Sequence, residues 1–199
     1  MKNAPVKISA AANVALIKYW GKTDLEKNIP AVASLSIGIE DLRTETIISE
    51  SKDKTDTLVG RFKKYEKKRI LNYVSMAKKL LGVSGGLKIE TVNNFPSSSG
   101  LASSASGFAA IALGLDEFFA LDLPRKDISR LARLGSGSAA RSVYGGFVQM
   151  DTGADPFATP LKLEDPWLLD ILVLVTDEQP KKISSTDSMN LTKNTSPFY

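Results

Sequence analysis

The stretch NNFPSSSGLASSASGFAA, Asn93 to Ala110, passes from an extended segment through a proline, three serines and a glycine into small residues that open an apolar helix. Glycine lets a backbone approach a ligand closely. The helix behind it aims unpaired N–H groups and a positive dipole end at whatever occupies the loop. One reading is therefore a phosphate cradle. The other is a serine-rich turn that caps a buried helix. Two better-known loops are excluded: no Gly-Lys-Ser/Thr follows Gly100, and the glycines lack the dinucleotide spacing.

Around this stretch the chain alternates short strands with helices. Leu87 to Val92 reads as the strand that delivers the loop. The helix of about Ser103 to Leu121 is apolar on nearly every side, which marks it as central. Upstream, Phe62 to Leu81 has an apolar stripe that includes Tyr65 and Tyr73, an outer face rich in lysine, and Gly82 as its stop. Arg69 lies beside the stripe, placed to turn inward toward an anion. Val6 to Ala10 reads as a strand, and SLSIGIE (Ser34–Glu40) with TETIISE (Thr44–Glu50) as an antiparallel pair turning at Asp41. Pro124 and Asp127 start a helix that Gly135 ends. Phe147 to Met150 and Leu161 to Leu163 read as strands, and Leu169 to Thr176 as a strand buried on both faces. Ser185 to Met189 starts a polar helix.

Composition narrows the chemistry. The 199 residues, 43% hydrophobic and 24% charged, are those of an ordinary globular protein, and the chain has neither cysteine nor histidine. Thiol catalysis, imidazole bases and Cys/His metal sites are thereby excluded. Acid–base work falls to Asp, Glu, Lys, Tyr or the substrate. The net charge of +4 suits a small anion or weak nucleic-acid binding alike. MKNAPVKISA has no apolar signal core and no run is long enough to span a bilayer, so an intracellular, cytoplasmic protein is expected.

Two more clusters carry charge. Lys18, Tyr19, Gly21 and Lys22 follow an extended apolar segment and together suit a polyanion; read blandly, the lysines are solvated and Tyr19 and Trp20 pack. In SGSAARSVYGG, small residues open a helix with Arg141 a turn later, a planar fork for carboxylate or phosphate, or else a capped helix with a surface arginine.

Taken together, ANVALIKYWGK (Ala12–Lys22), NNFPSSSGLASSASG (Asn93–Gly107), GSGSAARSVYGG (Gly135–Gly146), SSTDSM and NTSPFY resemble the diphosphomevalonate decarboxylases of the GHMP small-molecule kinase superfamily, in order and along nearly the whole chain. The resemblance implies an α+β fold, the ribosomal-protein-S5-domain-2-like N-terminal domain over residues 1–182, with residues 183–199 starting a ferredoxin-like C-terminal domain that is largely missing. It implies ATP-dependent decarboxylation of diphosphomevalonate to isopentenyl diphosphate, with ATP and Mg²⁺. By analogy, Lys18, Tyr19, Trp20, Gly21, Lys22, Arg69, Ser136, Gly137, Ser138, Ala139, Ala140, Arg141, Ser185, Thr186 and Met189 border the substrate. Arg141, Ser138, Ser104 and Lys22 are the catalytic candidates. Asn94, Ser97, Ser98, Ser99, Gly100, Leu101, Ala102, Ser103 and Ser104 would hold the ATP phosphates.

The chain departs from the family pattern at Ser188, where relatives often have glycine, and by stopping before the aspartate that the family's C-terminal domain supplies in a segment resembling DAGPN. A weakly active chain is expected, with an exposed or homodimer-forming face where that domain would pack. Neither nucleic acid nor membrane is an expected partner. Rival readings are a GHMP-type mevalonate or phosphomevalonate kinase, an RNA-binding S5-like module, and a non-catalytic remnant. Diphosphate and monophosphate substrates stay equally open.

Overall fold

A computed structural model describes residues 3–96, 103–164, 169–173, 183 and 185–197. Its spine is a strand of unusual length, β4 (Ser34–Glu50), with β1 (Val6–Ile17) antiparallel along one edge. On the other edge the first part of β4 pairs with β7 (Phe147–Met150), which continues to β8 (Ala158–Pro160). The second part pairs with β6 (Leu87–Asn93), to which β5 (Thr57–Val59) adds in parallel. A separate small hairpin, β2 (Lys22–Asp24) with β3 (Ile29–Pro30), leaves the end of β1.

The antiparallel pair expected at Ser34–Glu50 is thus a single strand. IEDLRTE offers no glycine or asparagine to take the left-handed backbone that a tight hairpin turn needs. The extra residues are absorbed instead as a bulge: Ala11 pairs with Arg43 but Ala12 with Ile39, leaving Glu40, Asp41 and Leu42 over. Asn94 closes the bulge, accepting from the Arg43 amide at 2.8 Å and donating to the Asp41 carbonyl at 2.7 Å. In the first part of β4, Leu35 and Ile39 are half-buried and Ile37 is buried. Ser34 and Ser36 are the residues sunk beneath the helices.

The central helix α2 (Ser103–Phe119) lies across β1 and β4 and is flanked by α3 (Arg125–Gly135) and the single turn α4 (Ala139–Ser142). Ten of its residues between Ala105 and Phe118 are buried, the exposed exception being Glu117. A polar contact crosses that interface, Ser106 Oγ with Thr44 Oγ1 at 2.6 Å. The helix ends two residues earlier than the pattern suggests, because Ala120 and Asp122 take left-handed backbone and the Asp116 carboxylate accepts from the Leu123 amide. Helix α1 (Lys64–Leu81) starts where Glu66 reaches back to the Lys63 amide at 2.8 Å, and stops at left-handed Gly82.

Three further expectations are corrected. Tyr65, on the apolar stripe by its spacing, is 65% exposed. The strand expected at Leu161–Leu163 is instead Ala158–Pro160, where the pairing with β7 runs. Residues 169–173 form no strand, and Leu172 is the most exposed of the large apolar side chains among the described residues; the rest of that expected strand lies outside the described residues. Helix α5 (Ser185–Thr195) forms as expected and sends Met189 into a cluster with Tyr19, Val148 and Met150.

Near the β5 edge, Lys78 and Asp56 pair at 2.7 Å with side chains only 14% and 16% exposed. Asp56 also accepts from the Leu87 amide. Asp56→Ala is expected to cost about 2 kcal/mol in urea unfolding, since the Leu87 amide loses its acceptor and the Lys78 ammonium keeps only the Gly85 carbonyl; Asp56→Asn, which keeps an acceptor oxygen, should restore part of it.

Candidate active site

The end of β1, the β2–β3 hairpin, α1, the close of α3, α4 and α5 surround one cleft of about 860 Å³. Its wall includes Lys18, Tyr19, Trp20, Lys22, Arg69, Ser104, Ser136, Gly137, Ser138, Arg141, Ser185, Thr186 and Met189. Segments separated by most of the chain are therefore neighbours. Gly21, Ala139 and Ala140 are not on the wall. Gly21 makes the turn into the hairpin at φ 90°, a backbone that L side chains resist. Ala139 and Ala140 are wholly buried and pack the floor.

Arg141 is 1% exposed. Its Nε donates to Ser36 Oγ at 2.9 Å and its Nη1 to Ser34 Oγ at 2.6 Å. Burial pushes the guanidinium below the ordinary arginine value, while Tyr19 draws it back up. The remaining nitrogen, Nη2, has no acceptor among the described residues and the side chain borders the cleft. That is a cation held by two neutral hydroxyls, with one edge kept for an anion.

Tyr19 is buried and donates its hydroxyl to the Asn28 carbonyl at 2.8 Å. Burial raises its pKa above the ordinary tyrosine value, against the lowering pull of Arg133 and Arg141. The ring packs on the main chain of Gly137, where an added Cβ would overlap it. Lys22 Nζ donates to Asn28 Oδ1 at 2.7 Å and to Thr186 Oγ1 at 3.3 Å. Burial and the Arg69 cation both lower its pKa from 10.5. Arg69 does turn inward: Nη2 donates to the Gly135 carbonyl at 2.7 Å, and the guanidinium stands over the Phe108 ring. Ser136 Oγ lies 3.3 Å from Ser138 Oγ and 3.5 Å from Ser104 Oγ, linking the Ser136–Ser138 turn to the start of α2.

A second cavity of about 480 Å³ adjoins the cleft, and both share Arg69, Ser104 and Phe108. Phe62, Ile70, Phe95 and Ile111 make it apolar, and Thr44, Asn93 and Ser103 give it polar edges. Ser97, Ser98, Ser99, Gly100, Leu101 and Ala102 lie outside the described residues. Asn94, expected to be a phosphate ligand, lines neither cavity and ties the β4 bulge instead.

Four contributors escape the sequence reading. Ser34 and Ser36 look like strand filler, Asn28 like part of a charged turn, and Asn13 like an ordinary member of its motif. Asn13 is buried and donates to the Ser138 carbonyl at 3.1 Å and to Ser142 Oγ at 2.7 Å, holding the cradle against β1. Polar residues at buried strand positions are a usable signal; the turn position of Asn28 carries none.

Residues 10–159 match the family described as diphosphomevalonate decarboxylase-like N-terminal domain. The chain belongs to this family. A diphosphomevalonate decarboxylase of Schizosaccharomyces pombe is 37% identical over 96% of the chain and 55% of its own length. The mevalonate diphosphate decarboxylase of Staphylococcus aureus superposes with a TM-score of 0.88 at 35% identity, over 100% of this chain and 62% of that one. The protein MDDEF, solved in complex with MVAPP, AMPPCP and magnesium, gives a TM-score of 0.81 at 33% identity, over 98% and 62%. The chain thus spans about half the length of the curated relatives it matches. Among the described residues no helix is long and apolar enough to cross a membrane.

Gly137→Ala tests the packing of the Ser136–Ser138 turn on Tyr19. It should lower stability by about 1–3 kcal/mol through overpacking and displace Tyr19, read by thermal unfolding and by the near-ultraviolet signal of the ring.

Proposed function

We propose that this chain forms the anion-binding part of an ATP-dependent decarboxylase acting on diphosphomevalonate. The observation that carries the reading is the charge of the cleft: Lys18, Lys22, Arg69 and Arg141 line it with Glu26 as the one acidic residue among the described residues of the wall. A polyanion is what such a wall attracts. A substrate with a diphosphate at one end and a carboxylate at the other would place the diphosphate toward Lys18, Tyr19, Lys22 and Arg69. Its carboxylate would then meet Arg141 and the serines of the cradle.

The adjoining apolar cavity has the size and lining for a nucleotide base, and the first turn of α2 lies between it and the cleft. The residues present therefore fit a nucleoside triphosphate. Among the described residues no group of three carboxylates stands together, so a magnesium ion would be carried chiefly by phosphate oxygens, as is usual for this ion. When bound, ATP with magnesium supplies the phosphoryl group that turns the tertiary hydroxyl into a leaving group. Ser104 and Ser136 are placed to hydrogen-bond the oxygens in transit. Arg141 holds the carboxylate in line while the pair of its C–C bond becomes the new C=C π bond, CO₂ departs and the phosphate takes the C–O pair. Lys22 balances charge beside the substrate.

Residues 183–199 are proposed as the beginning of the part that the longer relatives add. A general base from that part would complete the site, so the chain alone should bind without turning over. Titration of the purified protein with diphosphomevalonate and Mg-ATP, followed by calorimetry and CO₂ trapping, tests this. Saturable binding without CO₂ is expected. Phosphorylation without CO₂ would move the chain to the kinases, and absence of binding would refute the reading. Arg141→Met should lower substrate affinity by about two orders of magnitude, because a desolvated charge pair is lost.

Lys22 adds a pH dependence. Its pKa in the free protein lies below 10.5, so rising pH discharges it at lower pH than an ordinary lysine and anion affinity falls through that interval. A bound anion favours the charged form and raises the pKa. Binding in the pH range just below the ordinary lysine value should therefore take up a proton, measured by calorimetry in buffers of different ionisation enthalpy, and the uptake should vanish in Lys22→Met.

A further inference from the structure

The β2–β3 turn hangs Asn28 between the cleft and the end of α3, and its amide and carbonyl groups are engaged on both sides. The residue is buried, with left-handed backbone at φ 51°. Its Nδ2 donates to the carbonyls of Arg133 and Leu134, both at 3.0 Å. These belong to the last turn of α3, whose carbonyls have no partner inside the helix. Its Oδ1 accepts from Lys22 Nζ at 2.7 Å, and its main-chain oxygen accepts from the Tyr19 hydroxyl at 2.8 Å. The next carbonyl of α3, Gly135, is taken from the opposite wall by Arg69.

Few residue types meet these demands together. The backbone favours glycine, asparagine or aspartate. The α3 carbonyls require a donor, which glycine and ionised aspartate lack. The Lys22 ammonium requires an acceptor, which lysine and arginine lack. Asparagine supplies all three. The negative end of α3 adds its own attraction for the cations anchored there.

We propose that Asn28 is a positioning residue: by bridging the last turn of α3 to Lys22 and Tyr19, it sets where their ammonium and hydroxyl groups stand in the cleft. The inference rests on the anion-binding reading above for its purpose, but not for its geometry. Lys22 is approached by Arg69 from α1 and by Thr186, followed by Asp187, from α5. Lys18, Tyr19 and Glu26 share the same wall. Arg69 repels the ammonium, so without the Asn28 acceptor the side chain has reason to swing toward solvent.

The test uses Asn28→Gly, which keeps the left-handed backbone and removes the amide, and Asn28→Asp, which keeps an acceptor and adds charge. In the full chain, the Lys22 pKa is followed by NMR titration of carbon-13-labelled lysine, and inorganic pyrophosphate binding by calorimetry, the latter also in a Lys22→Met background. Asn28→Gly should raise the Lys22 pKa toward the ordinary lysine value, because the ammonium leaves its half-buried place beside Arg69, and weaken pyrophosphate about tenfold. It should change affinity by less than about twofold once Lys22 is gone, the coupling expected of residues that act as a unit. Asn28→Asp should raise the Lys22 pKa and still weaken pyrophosphate, because its carboxylate competes for the ammonium. A Lys22 pKa unmoved in both variants, or equal affinity losses with and without Lys22, would overturn the proposal and leave Asn28 a purely structural link. If the unmodified protein bound no pyrophosphate, the anion-binding reading would fail while the Lys22 titration still decided the role of Asn28. If Asn28→Gly did not fold, the same two measurements on Asn28→Asp would decide it.

Discussion

A guanidinium cannot leave water without acceptors to replace it, and the burial of Arg141 sets the terms for much of what surrounds it. Two serine hydroxyls on the inward face of β4 meet Nε and Nη1. That requires polar residues at alternate positions of a strand that would otherwise be apolar there. It also requires the strand to hold its register, because a slip of one residue would turn Ser34 and Ser36 to the opposite face. β4 is held on both edges, by β1 along its length and by β7 beside these serines. The one-turn helix that carries Arg141 is fixed in turn by Asn13 from β1. The sheet therefore does more than support the helices; it supplies the acceptors that keep a cation charged at depth.

The opposite wall solves a different problem with the end of α3. The last carbonyls of that helix need donors, and they receive them from Asn28 on one side and Arg69 on the other. Satisfying a helix terminus thus brings the two cations Lys22 and Arg69 to the same place. Arg133, 2% exposed in the same turn, ties the hairpin through the Lys27 carbonyl and the loop between β7 and β8 through Asp155 and the Pro156 carbonyl. Arg133 is not among the residues that line the cleft, yet removing it would loosen the hairpin on which Lys22 and Asn28 sit.

How much of this could be read from the residues differs by element. Helix α2 declares itself through an apolar run with no polar face, and the Gly135–Gly146 and Ala12–Lys22 motifs locate both sides of the cleft. The two parts of β4 also read as strand, but their continuity does not, because it depends on the partner: β1 runs past both, and a bulge absorbs the surplus that looks like a turn. Asn28 is illegible for a related reason. A turn asparagine looks the same whether it faces water or three elements of the fold, and only the tertiary arrangement gives its amide a purpose. The exposure of Tyr65 is the reverse case, since the helical period puts it on the apolar stripe but at the first turn of α1 the described residues leave most of it uncovered.

Gathering Lys18, Lys22, Arg69 and Arg141 around one cleft has a cost in the free protein. Like charges near one another and partly shielded from water repel, and the depressed pKa of Lys22, caused by burial and by Arg69, records that cost. Hydrophobic burial elsewhere, above all beneath α2, offsets it. An entering polyanion reverses the sign: the same proximity that strains the free cleft then acts cooperatively on one ligand, and little reorganisation is needed because Asn28, Ser34 and Ser36 already hold the cations in place. Preorganisation of this kind places the electrostatic cost in the folding of the protein, where the packed core offsets it, and leaves binding largely free of it.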